Sequence, residues 1–313
     1  MTSETRCGYV ALIGEPNVGK STLMNRIVGS KVSIVTHKAQ TTRMRIRGIA
    51  IRQRSQIVFI DTPGLFPPRS RLDRAMVATA WNSLNEADMI LLLVQATRGL
   101  TETVQVILDR LDEQVDNQPD AAAKISLVVN KIDLVPRASL LELVSRFSES
   151  RVFARVFLIS ARHGDGVDDI ADWLADTVPA GKWMYPVDQI ADASLQVMAA
   201  EITREKLLLR MHQEIPYRTA VETERWQMRD DGSVRLDQSI LVTSKSHKRM
   251  IIGPGGRVIR AIGEAARKDM EQLTDCRIHL FLRVRLEPNW AEDPRHFAGI
   301  GLAHQDITDR TEM

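Results

Sequence analysis

Residues 14–21 read Gly14-Glu15-Pro16-Asn17-Val18-Gly19-Lys20-Ser21, and Thr22 follows them. They match the pattern G-x-x-x-x-G-K-[ST], in which glycines allow backbone N–H groups to turn inward onto phosphates. The apolar run 9–13 before the loop predicts a buried strand, and the apolar spacing of residues 21–28 after it predicts a helix. A glycine-rich loop that opens a helix is a ready anion site. The sequence therefore predicts a phosphate-binding loop for a nucleoside triphosphate.

Three further motifs follow this loop in a fixed order. They are Asp61-Thr62-Pro63-Gly64, Asn130-Lys131-Ile132-Asp133 and Ser160-Ala161-Arg162. Each comes directly after a short apolar run, so each is predicted at the carboxyl end of a strand, where open α/β sheets bind ligands. A carboxylate at Asp133 can accept from the ring N–H and amino group of guanine, whereas adenine offers no such pair of donors. The four motifs together predict an α/β domain with a GTP site.

The expected roles follow from phosphoryl transfer, in which the protein mainly positions groups and stabilises charge. Lys20 is expected to reach the β- and γ-phosphates. The Ser21 hydroxyl is expected to bind Mg²⁺, and Asp61 to hold the same ion through water. The Gly64 N–H is placed to sense the γ-phosphate.

Between the first two motifs lies a polar segment, Ala39-Gln40-Thr41-Thr42-Arg43. Residues 16–60 around it contain no Asp or Glu and nine Lys or Arg. The segment occupies the position of a loop that becomes ordered in the presence of γ-phosphate and Mg²⁺. We expect Thr42 to complete the metal shell, and an ordinary solvated loop is the alternative.

The residue after Gly64 is Leu65, whose side chain cannot orient a water as the glutamine of Ras-like enzymes does. Hydrolysis is therefore expected to depend on another group, an extra cation or a partner. The loop is similar to the P-N-V-G-K-S-T loops of GTPases in which the asparagine helps to hold potassium. For Asn17 that role and simple capping of its own turn are both open.

The second half of the chain contains a different pattern, centred on Gly253-Pro254-Gly255-Gly256. Helical spacing over 201–211 is followed by alternation over 217–228 and 233–242, with a turn at 229–232. A helix is expected over 257–273 and a strand over 277–286. Residues 240–290 hold ten Lys or Arg against five Asp or Glu, a local net charge of +5 in a chain of net charge +2.

This order of elements, with G-x-x-G between two helices, is that of the bacterial variety of KH domain, and the basic excess is the footprint of a nucleic-acid binder. The groove floor is expected to be apolar, from Ile251, Ile252, Val258, Ile259 and Ile262. The residues expected to contact RNA are Lys248, Arg249, Ile252, Gly253, Pro254, Gly255, Gly256, Arg257 and Arg260.

Four segments, Gly14–Thr22, Gln40–Arg43, Asp61–Leu65 and Asn130–Asp133, resemble the GTPase domain of the Era family, and the G-x-x-G half makes the resemblance specific. It extends from Tyr9 to about Trp290. The resemblance implies a P-loop GTPase domain followed by a type-2 KH domain, with GTP or GDP and Mg²⁺ as cofactors. K⁺ is a further cofactor if Asn17 holds it. The resemblance also implies binding near the 3′ end of small-subunit ribosomal RNA and a role in assembly of the 30S subunit. Because of Leu65, hydrolysis is expected to be slow without a stimulating cation or RNA.

The leading hypothesis is therefore a GTP-hydrolysing switch on ribosomal RNA, with residues 38–47 and 64–71 as its conformational elements. A static RNA-binding protein that holds GTP or GDP as a structural cofactor is the alternative. Leu65 favours that alternative, whereas the intact Lys20, Ser21 and Asp61 oppose it. GTPases of tRNA modification or iron transport share similar phosphate loops, but the G-x-x-G half argues against them.

A length of 313 residues is sufficient for two domains. We predict a GTPase domain over 1–180, a linker over 181–195, a KH domain over 196–290 and an acidic tail over 291–313. No apolar run reaches membrane-spanning length and no signal segment is evident, so a cytoplasmic location is expected. The protein is also expected to be a monomer. Loose attachment to the inner face of the membrane is implied by the family resemblance. Cys7 and Cys276 fall in different domains and indicate no disulfide.

Overall fold

The computed structural model describes residues 4–38, 40–148, 150, 152–211, 215–293 and 296. The chain divides into two compact units. The first is drawn from Met1–Ser33, Arg45–Pro68 and Val77–Asp192, and the second from Ile34–Met44, Arg69–Met76 and Ala193–Met313.

The first unit is built on a six-stranded sheet with the order β2-β3-β1-β4-β5-β6. Its strands are β1 (Arg6–Ile13), β2 (Ile46–Arg52), β3 (Ser55–Asp61), β4 (Met89–Gln95), β5 (Ile125–Asn130) and β6 (Arg155–Ile159). Neighbouring strands run parallel except for β2 and β3, which are antiparallel. Strands β3 and β5 are buried along their whole length, as expected for strands inside a mostly parallel sheet.

Four helices lie between these strands in the chain: α1 (Lys20–Val28), α2 (Arg71–Asn85), α3 (Glu102–Asn117) and α4 (Arg137–Ser148). A fifth, α5 (Val167–Thr177), follows β6. The first turn of α3 is capped by Thr101, whose side chain accepts from the Val104 N–H. The apolar side chains of α3 recur at helical spacing and are buried in one core with β4 and β5. The α/β prediction is confirmed.

The second unit contains a three-stranded sheet with the order β7-β8-β9. Its elements are α6 (Leu195–Arg210), β7 (Thr219–Met228), β8 (Val234–Val242), α7 (Lys245–Ile252), α8 (Arg257–Thr274) and β9 (Ile278–Leu286). Strands β7 and β8 are antiparallel, and β8 and β9 are parallel. The order of helix, two strands, helix, turn, helix and strand agrees with the KH pattern in the sequence. Helix α8 buries Ile262, Ala266 and Met270, which lie one turn apart on one face.

Residues expected in a linker make specific contacts in the first unit. The Gln56 side chain donates to the Tyr185 carbonyl (2.8 Å) and accepts from the N–H groups of Met184 (2.9 Å) and Tyr185 (3.0 Å). Residues 181–192 therefore pack with the first unit, while the domain limits given above stay a prediction. Most of the acidic tail, 294–295 and 297–313, lies outside the described residues. Within the described part of the chain, no helix is both long and apolar enough to cross a bilayer.

Candidate GTP and RNA sites

The phosphate-binding loop connects β1 to α1, and two of its glycines are required by close contacts. A Cβ on Gly14 (φ 140°) would lie 2.3 Å from the Leu93 carbonyl oxygen, and one on Gly19 (φ 105°) would lie 2.2 Å from Asn130 Nδ2. No larger residue fits at either position without displacing its neighbours. The first unit therefore holds the loop in one conformation against β4 and the third motif.

Lys20 begins α1, and its side chain is buried. Its ammonium donates to the carbonyl oxygens of Gly14 (3.2 Å) and Glu15 (3.1 Å), both in the loop itself. Burial lowers the pKa of Lys20 to about 8, against the opposing effect of the Asp61 and Glu15 carboxylates. A buried ammonium directed into a phosphate-binding loop agrees with the role expected for this lysine.

The predicted Mg²⁺ ligands of the first unit lie together. The Ser21 hydroxyl, at the start of α1, donates to Asp61 Oδ2 at 2.6 Å, and Asp61 is fully buried at the end of β3. A hydroxyl and a carboxylate are hard oxygen ligands of the kind that Mg²⁺ prefers, so the residues fit this ion. The structure adds a third residue that the sequence motifs did not predict: the Ser33 hydroxyl donates to the same Asp61 Oδ2 at 2.7 Å. Ser33 belongs to no motif, and its only signal is a polar residue between Val32 and Ile34.

The second motif packs directly on the first. A Cβ on Gly64 would lie 2.6 Å from the backbone nitrogen of Pro16, and the Leu65 N–H donates to the Gly14 carbonyl at 3.0 Å. The Thr62 hydroxyl donates to the Leu12 carbonyl at 2.7 Å. The Leu65 side chain is 2 % exposed and packs in the core with β4 and β5. It is a core residue.

Asn130 joins three of the four motifs. Its amide donates to the Val18 carbonyl at 2.7 Å, and its oxygen accepts from the N–H groups of Lys131 (2.8 Å) and Ala161 (2.9 Å). The Lys131 ammonium reaches the Asn17 carbonyl at 2.7 Å and Gln95 Oε1 at 2.8 Å. The side chains of Asn130 and Lys131 therefore hold the phosphate loop, the third motif and the fourth motif together.

The carboxylate expected to recognise guanine is Asp133, in a 3₁₀ turn over Ile132–Leu134. A hydrogen bond from the Ser160 hydroxyl is the main cause that lowers the pKa of Asp133 below its ordinary value. His163 Nε2 lies 3.7 Å from Asp133 Oδ2. An ionised carboxylate at this point can accept from the two donors of guanine.

Thr42 is the remaining predicted Mg²⁺ ligand, and it belongs to the second unit, whereas Ser21 and Asp61 belong to the first. It is buried, and its segment Ile34–Met44 belongs to the second unit. The Arg204 guanidinium of α6 donates to the carbonyl oxygens of Gln40 (3.3 Å) and Thr41, and pairs with Glu201 at 2.6 Å. The metal role of Thr42 therefore stays a prediction, as does the potassium role of Asn17.

Two more basic side chains fix the same segment in the second unit. The Lys38 ammonium donates to the carbonyl oxygens of Leu208 and Met211. The buried Arg43 guanidinium donates to the Tyr217 (3.0 Å) and Thr219 (2.6 Å) carbonyls, and lies 5.4 Å from the centre of a ring of Trp290. The sequence showed Lys38 and Arg43 only as part of a basic stretch. In the structure both side chains bind backbone carbonyl oxygens of the second unit.

The G-x-x-G turn lies between α7 and α8. Gly253, Gly255 and Gly256 have φ values of 69°, 57° and 74°, which favour glycine. A Cβ on Gly255 or Gly256 would meet nothing within 4 Å, so the outer surface of the turn is open. Exposed basic side chains flank it at Arg249, Arg257 and Arg260, and Lys248 is half-buried.

The apolar floor expected beside this turn is smaller than the sequence suggested. Ile251 and Ile262 are fully buried, so they form the core rather than a surface. Ile252, Val258 and Ile259 are partly exposed and pack on that core. These three side chains are therefore the apolar surface next to the open glycines.

Comparison with known proteins gives the family. The family described as 50S ribosome-binding GTPases matches residues 9–131, and the KH domain family matches residues 214–291. The GTPase Era of Dinoroseobacter shibae is 52% identical over 302 residues, 96% of this chain and 97% of that protein. The chain belongs to the Era family of GTPases. The GTPase Era of Rhizobium meliloti is likewise 52% identical, over 95% of this chain and 93% of its own length.

Solved structures of Era agree with this over the whole fold. Era in complex with MgGDPNP and nucleotides 1506–1542 of 16S ribosomal RNA has a TM-score of 0.89 at 34% identity, covering 96% of this chain and 99% of that chain. A single-residue variant of Aquifex aeolicus Era bound to GDP·AlF₄⁻ has a TM-score of 0.87 at 34% identity, covering 96% of this chain and 100% of that one. The expected P-loop GTPase fold with a KH domain is confirmed, and the protein is a GTPase that converts GTP and water to GDP and phosphate.

Proposed function

We propose that this Era-family GTPase is a GTP-dependent switch that binds the 3′ region of small-subunit ribosomal RNA and acts in assembly of the 30S subunit. The observation that carries the proposal is the open G-x-x-G turn, with exposed Arg249, Arg257 and Arg260 around it. KH domains clamp about four single-stranded nucleotides with such a turn. The complex of an Era protein with a 16S RNA fragment supports the choice of RNA.

The proposed nucleotide site uses the motifs gathered in the first unit. Lys20 binds the phosphates, Asp133 selects guanine, and Ser21 and Asp61 hold Mg²⁺, which neutralises phosphate charge when bound. Gly64 reports the γ-phosphate through its N–H. Because Leu65 is a core residue, the attacking water is positioned by another group. We propose that hydrolysis is stimulated by a K⁺ ion, which Asn17 helps to hold, and by bound RNA.

The switch is proposed to act through residues 38–47 together with residues 64–71, and the first of these overlaps the segment Ile34–Met44 of the second unit. Thr42 lies in this segment, and the basic side chains Lys38, Arg43 and Arg204 attach the segment to α6 and β7. Use of Thr42 as a metal ligand in the GTP state would change these attachments. In that way the state of the nucleotide would reach the unit that carries the G-x-x-G turn.

The static-cofactor alternative has only Leu65 in its favour, and the intact Lys20, Ser21 and Asp61 oppose it. The proposed place of action is the cytoplasm, with loose attachment to the inner face of the membrane, and the proposed active form is a monomer.

The test is RNA binding by Gly255→Asp, measured as fluorescence anisotropy of a labelled RNA from the 3′ end of small-subunit ribosomal RNA. A carboxylate at the open turn should repel the RNA backbone and weaken binding about tenfold or more, while GTP affinity stays unchanged. Gly232→Asp is the matched control, since Gly232 also has a positive φ (77°) and open space around its Cβ position, but lies in the β7–β8 turn. Equal RNA affinity of Gly255→Asp and Gly232→Asp would exclude the G-x-x-G groove as the RNA site.

A further inference from the structure

The buried carboxylate of Asp61 receives two hydroxyl groups on one oxygen. Ser21 Oγ donates to Asp61 Oδ2 at 2.6 Å and Ser33 Oγ donates to the same atom at 2.7 Å. Asp61 is fully buried and Ser33 is 1 % exposed. Ser21 belongs to the phosphate-loop motif, but Ser33 lies beyond the end of α1 and no sequence motif includes it. The two hydroxyls therefore reach Asp61 from different parts of the chain.

Ser33 is held in place by α1. The Asn25 side chain donates to the Ser33 carbonyl at 2.7 Å and accepts from the N–H groups of Val32 and Ser33, each at 2.9 Å. Asn25 lies four residues after Ser21, so both side chains project from one face of α1. One helix therefore sets the positions of both hydroxyls that contact Asp61.

A buried carboxylate can turn about its Cβ–Cγ bond unless hydrogen bonds fix its plane. Ser33 supplies such a bond from outside the phosphate loop, through a backbone clamped by Asn25. Asp61 is expected to hold the ion through water, and removal of an outer-shell partner of a metal site typically lowers metal affinity by about 10- to 100-fold.

We infer that Ser33 is a positioning residue for Mg²⁺: its hydroxyl, fixed by Asn25, orients the Asp61 carboxylate toward the ion that Ser21 binds. The inference rests on the proposed Mg²⁺ role of Ser21 and Asp61. Ser33 itself is not a metal ligand in this scheme. Its effect is on the Mg²⁺ concentration that the site needs, rather than on recognition of guanine.

The experiment is release of a fluorescent GDP analogue from the full-length protein as free Mg²⁺ is varied with chelator buffers. Ser33→Ala should raise the half-saturating Mg²⁺ concentration about tenfold or more, while release in excess chelator stays within about twofold of wild type. Ser33→Thr, which keeps the hydroxyl, should restore the wild-type value. Asn25→Ala should shift it in the same direction as Ser33→Ala, because it releases the Ser33 backbone.

The matched control is Ser55→Ala. Ser55 is also 1 % exposed and donates to a carbonyl, that of Ala175 at 2.6 Å, but it lies at the opposite end of β3 from Asp61. The Ser55→Ala variant should have lower thermal stability, but the half-saturating Mg²⁺ concentration for nucleotide release should not change. If Ser33→Ala behaves like Ser55→Ala, the hydroxyl is merely structural and the inference is overturned. Absence of Mg²⁺ dependence in the wild type would instead refute the proposed metal site, which Ser21→Ala checks separately.

Discussion

Asn130→Ala should weaken guanine-nucleotide binding by up to about 100-fold. The side chain is 2 % exposed and makes three hydrogen bonds of 2.7–2.9 Å, to the backbone of Val18, Lys131 and Ala161. Each is worth about 1 kcal/mol net, so about 3 kcal/mol is lost together. These bonds order the loops that hold the nucleotide. If the whole of about 3 kcal/mol were lost from binding, Kd would rise about 100-fold at about 1.4 kcal/mol per tenfold change, and this is the upper limit of the effect.

The assay is equilibrium titration of a fluorescent GDP analogue, with urea unfolding of the nucleotide-free protein in parallel. Part of the roughly 3 kcal/mol is expected in the free energy of unfolding, because Val18 O and Ala161 N lose a buried partner. Asn117→Ala is the control, since this exposed asparagine donates only within α3, to the Glu113 carbonyl at 2.8 Å. A change in Kd below about threefold for Asn130→Ala, with normal folding, would show that this side chain does not organise the site.

Other variants and conditions test separate parts of the account. Because burial lowers the pKa of Lys20 to about 8, GDP binding at pH 8.5 should take up most of one proton as the bound phosphate restores the charged ammonium, and much less at pH 6.5. Calorimetry in two buffers of different ionisation enthalpy measures this proton uptake. Equal uptake at pH 8.5 and at pH 6.5 would contradict the prediction. For the same reason, the contribution of Lys20 to the free energy of unfolding of the nucleotide-free protein should rise between about pH 8 and about pH 10.4. In this range the lysine binds more protons in the unfolded chain than in the folded protein. Gly64→Ala should lower single-turnover hydrolysis about tenfold or more because its Cβ meets phosphate-loop backbone, whereas Gly181→Ala, with open space, should not. Arg43→Ala should lower the free energy of unfolding by about 3 kcal/mol by leaving two carbonyls without their donor, against little change for the exposed Arg54→Ala, measured in urea.

The parts of the site that sequence could predict are those in which residue type and spacing carry the chemistry. Gly14 and Gly64 lie where another backbone approaches closely, and Gly19 lies against the Asn130 side chain. Lys20, Asp61 and Asp133 carry charges at fixed positions of the motifs. Strand–loop–helix order gives the α/β fold because hydrophobic periodicity is a local property of the chain.

The parts that sequence did not predict depend on contacts between distant residues. Ser33 reads as an isolated polar residue until Asp61, 28 positions later, is folded beside it. Nothing local in residues 34–44 indicates that Arg204 and Trp290 hold that segment in the second unit. Ile251 and Ile262 look like groove residues from their spacing, but their burial is decided by how α7 and α8 pack on the sheet.

The most direct test of the central claim is GTP turnover by the purified protein in potassium and in sodium buffer, with and without RNA from the 3′ end of small-subunit ribosomal RNA. The account predicts slow turnover in sodium alone, faster turnover in potassium, and a further change when RNA is bound. Tight GTP binding with a hydrolysis rate that neither potassium nor RNA alters would contradict the switch and leave the nucleotide as a structural cofactor.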